Sequence, residues 1–331
     1  MTDTLQKFMF EDTPVRGELV ELSDTWREIL SRRDYPRPVR ALLGEMLAAA
    51  ALLSANLKFN GALVMQIHGD GPLHLLVVEC DAELKMRATA KLAPDAVVAD
   101  DITLTELVNR NGNGRFAITL DPKDKLPGQQ PYQGIVPLDG GSVAVIIENY
   151  MMRSEQLDTR MWLAADDQVS RGLLLQKLPT QGGVGAPSSD DALEAWDRTV
   201  MLASTLRPDE LLSTDIQTVM RRLFWEETIR VFDPLSPAFH CTCNRERVGN
   251  MLKMLGQEEV EAAIAATKTA LEGGEAADIN AKAQELTQVA MKMGQSIYEK
   301  EQASAASPNA APSGDDDVVD AEFSEVDENK G

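Results

Sequence analysis

The sequence predicts an α+β fold: an antiparallel-rich sheet domain with packed helices, followed by a helical middle segment, a helical hairpin and a disordered acidic tail. Three observations carry this. Strand and helix signals alternate through the first 180 residues. Within that stretch, β-like runs follow one another with only turn residues between them, as in a meander. A run of structure-breaking residues at 182–191 then separates this pattern from helical spacing behind it.

The elements follow in order. Val15 to Leu22 reads as a strand, and Asp34-Tyr-Pro-Arg-Pro38 breaks the chain before an Ala-rich helix over 39–57. The apolar run from Ala41 to Leu57 carries Glu45, Ser54 and Asn56 and falls short of the roughly 20 apolar residues that a membrane helix needs, so it reads as a buried helix. Gly61 to His68, Leu73 to Asp81 and Leu84 to Leu92 are three strand-like runs, joined by Gly69-Asp-Gly-Pro72 and by Asp81-Ala-Glu83. Asp101 to Asn109 is a short helix. Gly114 to Leu120 and Tyr132 to Leu138 resume the strand pattern, Ser142 to Leu157 is helical, and Met161 to Ala165 with Gly172 to Leu178 add two strands.

Gly182-Gly-Val-Gly-Ala-Pro-Ser-Ser-Asp-Asp191 has linker composition. Behind it, Ala192 to Ser204 and Pro208 to Phe224 show helical spacing, with Trp196, Val200, Leu211, Leu212, Val219, Leu223 and Trp225 as apolar members. Two readings fit them: burial against the sheet domain, or a conditional surface for client proteins.

Composition narrows the classes. The chain has 331 residues, three cysteines and a formal net charge of -21. So few cysteines, without a charged-then-apolar leader at Met1, point to a reducing cytoplasm and away from a disulfide scaffold. The acidity argues against nucleic-acid binding, which needs a basic surface to displace counterions from phosphates. Residues 303–331 hold eight Asp or Glu against one Lys and few large apolar side chains, so they are expected to be disordered.

Cys241-Thr-Cys243 is the most informative chemical feature, because it looks like half of a metal or redox site. Zinc in a closed structural site takes four soft ligands. Here two thiols and the neighbouring His240 are at hand, and adjacent residues 240 and 241 have difficulty facing one ion. Two reduced chains could pool four thiolates around one ion; a homodimer formed on oxidation is a separate possible partner state. A thiol-disulfide oxidoreductase using Cys241 and Cys243 is the alternative from another class, with Arg245 and Arg247 supplying a positive field. A disulfide across one intervening residue, however, closes a strained ring that is readily reduced. Cys80, between Glu79 and Asp81, reads as a structural thiol whose acidic neighbours raise its pKa. His68 and His74 flank the Gly69 turn and read as surface residues. No nucleophile, base and oxyanion constellation announces a hydrolase.

Val15-Arg-Gly-Glu-Leu19, Gly69-Asp-Gly-Pro72, Arg153-Ser-Glu-Gln156, Arg222-Leu-Phe-Trp-Glu-Glu227 and Cys241-Thr-Cys-Asn-Arg-Glu-Arg247 stand in the order found in the bacterial thirty-three-kilodalton redox-regulated chaperonin family. The chain resembles that family over about residues 5–260. The resemblance implies an ATP-independent holdase that binds unfolding proteins in response to stress. It also implies a switch in which a Cys-x-Cys pair and a later Cys-x-x-Cys pair hold zinc, and oxidation ejects the metal, forms disulfides and unfolds the middle helices.

The second cysteine pair does not follow here. From about residue 262 the chain resembles the lid end of the bacterial seventy-kilodalton heat-shock chaperone, at Ala265-Ala-Thr-Lys-Thr-Ala-Leu-Glu272 and Ala283-Gln-Glu-Leu-Thr-Gln-Val289, and its acidic terminus at Asp315-Asp-Asp-Val-Val-Asp-Ala-Glu-Phe323. The join falls between roughly 255 and 264. Ile279, Ala283, Leu286, Ala290, Met293 and Ile297 draw one apolar stripe, and Gly273-Gly274 ends the preceding helix, so an αα-hairpin is expected. No nucleotide-binding motif is present.

The organisation expected is therefore a core domain at 1–181, a linker at 182–191, a helical middle segment at 192–237, a truncated redox switch at 238–261, a hairpin at 262–302 and a tail at 303–331. The site residues expected are Cys241 and Cys243 for redox chemistry and for a metal half-site that binds zinc weakly or not at all. Trp196, Leu211, Val219, Phe224 and Trp225 are expected for client binding.

Overall fold

The computed structural model describes residues 3–241, apart from residue 12 and the stretches 57–59, 125–130 and 180–188. In chain order the elements are β1 (Thr4–Phe10), β2 (Val15–Leu22), α1 (Asp24–Ser31), α2 (Arg37–Ser54), β3 (Gly61–His68), β4 (Leu73–Asp81), β5 (Lys85–Leu92), α3 (Leu104–Val108) and β6 (Arg115–Pro122). They continue as β7 (Tyr132–Pro137), α4 (Val143–Ser154), β8 (Thr159–Ala165), β9 (Ser170–Lys177), α5 (Ser189–Ala203), α6 (Pro208–Ser213), α7 (Ile216–Leu223), β10 (Ile229–Val231) and β11 (Ala238–Phe239).

The strands form a five-stranded sheet in the order β10-β1-β2-β9-β8 and a six-stranded sheet in the order β11-β5-β4-β3-β6-β7. Every pairing is antiparallel except that of β11 with β5. The mixed, antiparallel-rich α+β architecture is the one the sequence predicts.

Helix α2 explains how the two sheets share a core. Pro36 precedes it with φ -54, a value the proline ring fixes, and Pro38 lies in the first turn, where its missing N–H costs nothing. Ala48 to Ala51 are wholly buried and present almost no bulk, so strands from both sheets approach the helix closely. Gly44 has the same role: a Cβ there would lie 2.3 Å from the Cβ of Ala165. Around α2 gathers the larger core, including Leu5, Val20, Trp26, Met46, Leu63 and Ile67.

Because side chains alternate along a strand, the five-stranded sheet has a second face. Val20, Leu22 and Leu174 point to α2, whereas Leu19, Leu173 and Leu175 join Phe8, Phe10 and Val15 in a separate cluster on the outer side. The middle helices cover that cluster.

Several boundaries differ from expectation. The strand β1 and the helix α1 were not anticipated. The helix expected over Pro208 to Phe224 is two helices, because Thr214 is extended and the Asp215 carboxylate caps α7 by accepting from Thr218 N at 2.9 Å. The helix expected through Leu157 stops at Ser154, and Gln156 takes a left-handed φ of 55. The linker expected at 182–191 lies outside the described residues except for its last three, which open α5.

Candidate functional site

The outer face of the five-stranded sheet builds the first half of the site. Phe8 and Phe10 alternate with Lys7 and Met9 on β1, so both rings point to the same side. Phe224, at the end of α7, packs its ring centroid 5.7 Å from that of Phe8 and 5.1 Å from that of Phe10. In α7, Ile216, Val219, Met220 and Leu223 follow helical spacing and form one buried stripe, with Arg221 and Arg222 on the opposite, exposed side.

Of the five residues expected to bind clients, four are stored in this contact: Trp196 is 5% exposed, and Leu211, Val219 and Phe224 are each 1% exposed. The fifth, Trp225, is 76% exposed. Trp225 sits beside Glu227, which pairs with Arg198 of α5 at 2.9 Å, so the segment is also tied on its wet side. Surface pairs of that kind contribute little. The reading of the sequence passed over the floor under these helices, formed by Phe8, Phe10, Leu173 and Leu175; the alternation in Lys7-Phe-Met-Phe10 is the signal that marks it.

The second half of the site is the approach to the cysteine pair. Strand β10 adds to β1, placing Val231 opposite Phe8, and the chain then crosses to the other sheet. There β11 lies parallel to β5, with Ala238 N donating to Leu84 O at 3.0 Å and His240 N donating to Met86 O at 2.9 Å. The Arg32 guanidinium stands 4.4 Å above the Phe239 ring. This pairing delivers Cys241, half-buried, directly after an exposed His240. Cys243 lies outside the described residues, as do the hairpin and tail expected at 262–331.

Cys80 is on β4, fully buried. Burial is the main cause that pushes its thiol up to about 12, with Asp81 and Glu79 adding to it. A thiol so held is protonated at neutral pH and serves as neither ligand nor nucleophile. His68 and His74 are exposed at the ends of β3 and β4, where Gly69 N donates to His74 O at 2.9 Å across the turn. Among the described residues no group of three or more His, Cys, Asp or Glu is arranged to hold a metal ion. With Cys80 locked in the core and three cysteines in the chain, one chain cannot supply four thiolates. A closed four-thiolate zinc site does not fit this donor set.

The fold and site define a protein that keeps an apolar helical surface docked on a sheet and carries a Cys-x-Cys pair further along its sequence. The profile of the family described as Hsp33 protein matches residues 3–272, and the chain belongs to that family. The match runs past the boundary near residue 260 that the motifs suggest. The 33 kDa chaperonin of Methylobacillus flagellatus is 50% identical over 78% of this chain and 84% of its own length. That of Chromobacterium violaceum is 47% identical over 78% of this chain and 83% of its own. The crystal structure of the 33 kDa chaperonin from Thermotoga maritima has the same fold, with a TM-score of 0.63 at 20% identity over 81% of this chain and 89% of that one. Members of the family are redox-regulated chaperones. This chain is a chaperone, not an enzyme.

Proposed function

We infer that the chain is an ATP-independent holdase whose client-binding surface is the middle segment at 192–237 and includes Trp196, Leu211, Val219, Phe224 and Trp225. One observation carries this reading: a contiguous apolar surface is held at 8% exposure or less by docking, while Trp225 beside it stays open. A contiguous apolar surface, once exposed, is the kind of patch that binds other proteins. The partners are unfolded or partly folded clients in a bacterial cytoplasm, not nucleic acid or membrane. No helix among the described residues is long and apolar enough to cross a membrane.

Residues 238–261 carry half of the family's switch. Cys241 and Cys243 are its redox residues, and zinc binds there weakly or only when two chains pool their thiolates. The stretch from about 262 onward, resembling a chaperone lid and acidic tail, lies outside the described residues. Without a closed metal site, docking of the middle segment is not coupled to oxidation.

The test is light scattering from a thermally unfolding client without nucleotide. Reduced protein, peroxide-treated protein and a Cys241→Ser, Cys243→Ser variant are expected to suppress aggregation stoichiometrically and alike. Activation by peroxide that the double substitution abolishes would show the half-site to be a working switch and overturn this account of it.

A further inference from the structure

The outer face of the five-stranded sheet is largely apolar but carries two buried polar features: Gln6, which accepts from Gln217 of α7 at 3.1 Å, and an ion pair at one end. Arg171 on β9 and Glu21 on β2 are cross-strand partners, 4% and 7% exposed. Arg171 Nη2 stands 2.6 Å from Glu21 Oε2. Both residues share the parity of Leu19, Leu173 and Leu175, so the pair faces the middle helices rather than α2.

The guanidinium does more than neutralise Glu21. Its Nη1 donates to Leu211 O at 2.9 Å, Leu212 O at 2.9 Å and Thr214 O at 2.6 Å. These are carbonyls that a helix leaves without intrahelical partners at its C-terminal end. Helix α6 has six residues, too few to be stable alone. It follows that its form depends on what holds its last turn, and the holder is a side chain of the sheet. Helix α7 begins two residues beyond that turn.

We propose that Arg171, charged and oriented by Glu21, is the latch that docks α6 and α7 on the sheet and so sets how much of the chaperone's apolar surface is available. This rests on the reading of the middle segment as the client-binding surface and adds the contact that regulates it. The latch is independent of metal and thiols: it is made of Glu21, Arg171 and the carbonyls of Leu211, Leu212 and Thr214. Undocking would return the guanidinium and its carboxylate to water and restore their hydration, so what the latch contributes to docking is the set of hydrogen bonds from Arg171 to the α6 carbonyls.

The test pairs two substitutions so that the sheet keeps its charge balance. Replacing a buried ion pair by apolar residues of similar volume leaves a fold about as stable as before. Glu21→Met, Arg171→Met therefore retains the sheet but leaves the α6 carbonyls without their donor. In the full chain, the urea midpoint followed by far-ultraviolet circular dichroism is expected to stay near wild type. Tryptic cleavage at Arg221 and Arg222 in α7 is expected to rise roughly tenfold, as for loss of charged hydrogen bonds. Less reduced protein is then needed to suppress client aggregation.

Wild-type cleavage with an unchanged urea midpoint overturns the latch. If cleavage rises while light scattering does not change, the latch stands and the assignment of the client surface fails, so the two readings are separable. Should the paired variant not fold, Glu21→Gln is read the same way: faster cleavage supports the latch and a wild-type rate overturns it.

Discussion

At the scale of single residues, burial decides what neighbours in the sequence only hint at. The thiol of Cys80 was expected to be raised by its acidic neighbours, and it is raised, but burial is the larger cause. Glu18 is the sharper case. It lies in Val15-Arg-Gly-Glu-Leu19, 1% exposed, and burial pushes its carboxyl up to about 7. Asn56 donates to Oε1, Oε2 has no partner in the structure, and Lys7 and Arg16 are the charges that face it. A carboxyl raised from about 4.5 to about 7 binds its proton more tightly when folded. Its stabilising effect is complete below the unfolded value and is lost as pH rises through the folded one. Glu18→Gln keeps the shape and carries no charge, so relative to wild type it should gain about 1–3 kcal/mol of stability on going from pH 5 to pH 8. Urea midpoints at the two pH values check this; parallel curves for the two proteins would count against a buried, titrating Glu18.

At the scale of elements, periodicity was legible and interruptions were not. The strands at 61–68 and 73–81 match expectation to the residue because alternation and the Gly69-Asp-Gly-Pro72 turn fix both ends. The break between α6 and α7 was missed because the apolar stripe runs on across it, although Ser213-Thr-Asp215 offers the capping side chain that stops one helix and starts the next. The glycine of the Val15 motif explains itself only in the sheet. Gly17 is the cross-strand partner of Phe8, and a Cβ there would meet the Phe8 ring at 2.1 Å. That ring in turn supports Phe224. Gly17→Val should push Phe8 out of place, cost about 1–3 kcal/mol of stability and speed tryptic cleavage at Arg221 and Arg222. A variant that unfolds and is cleaved like wild type would show that the ring moves aside at no cost.

At the scale of the whole molecule, the family was legible because its motifs are spread from residue 15 to residue 247 and stand in order. The candidate surface was legible as helical spacing, while the floor that stores it was not, since Phe8 and Phe224 meet across more than two hundred residues of chain and no local pattern links them. Metal affinity follows from the same large-scale view. Structural zinc contributes on the order of 10 kcal/mol to folding when its ligands are complete. Completion here would need thiols beyond Cys241 and Cys243, and Cys80 is sealed in the core between α2 and the six-stranded sheet with its proton held up to about 12. The reduced chain is therefore expected to lose its zinc on dialysis against a chelator, with no change in the thermal unfolding of the sheet domain. One zinc per chain surviving that dialysis, with a lower melting temperature once it is stripped by acid, would mean that the half-site finds its remaining ligands elsewhere. A site formed by two chains would then show itself as half that stoichiometry and a dimer that dissociates when the metal leaves.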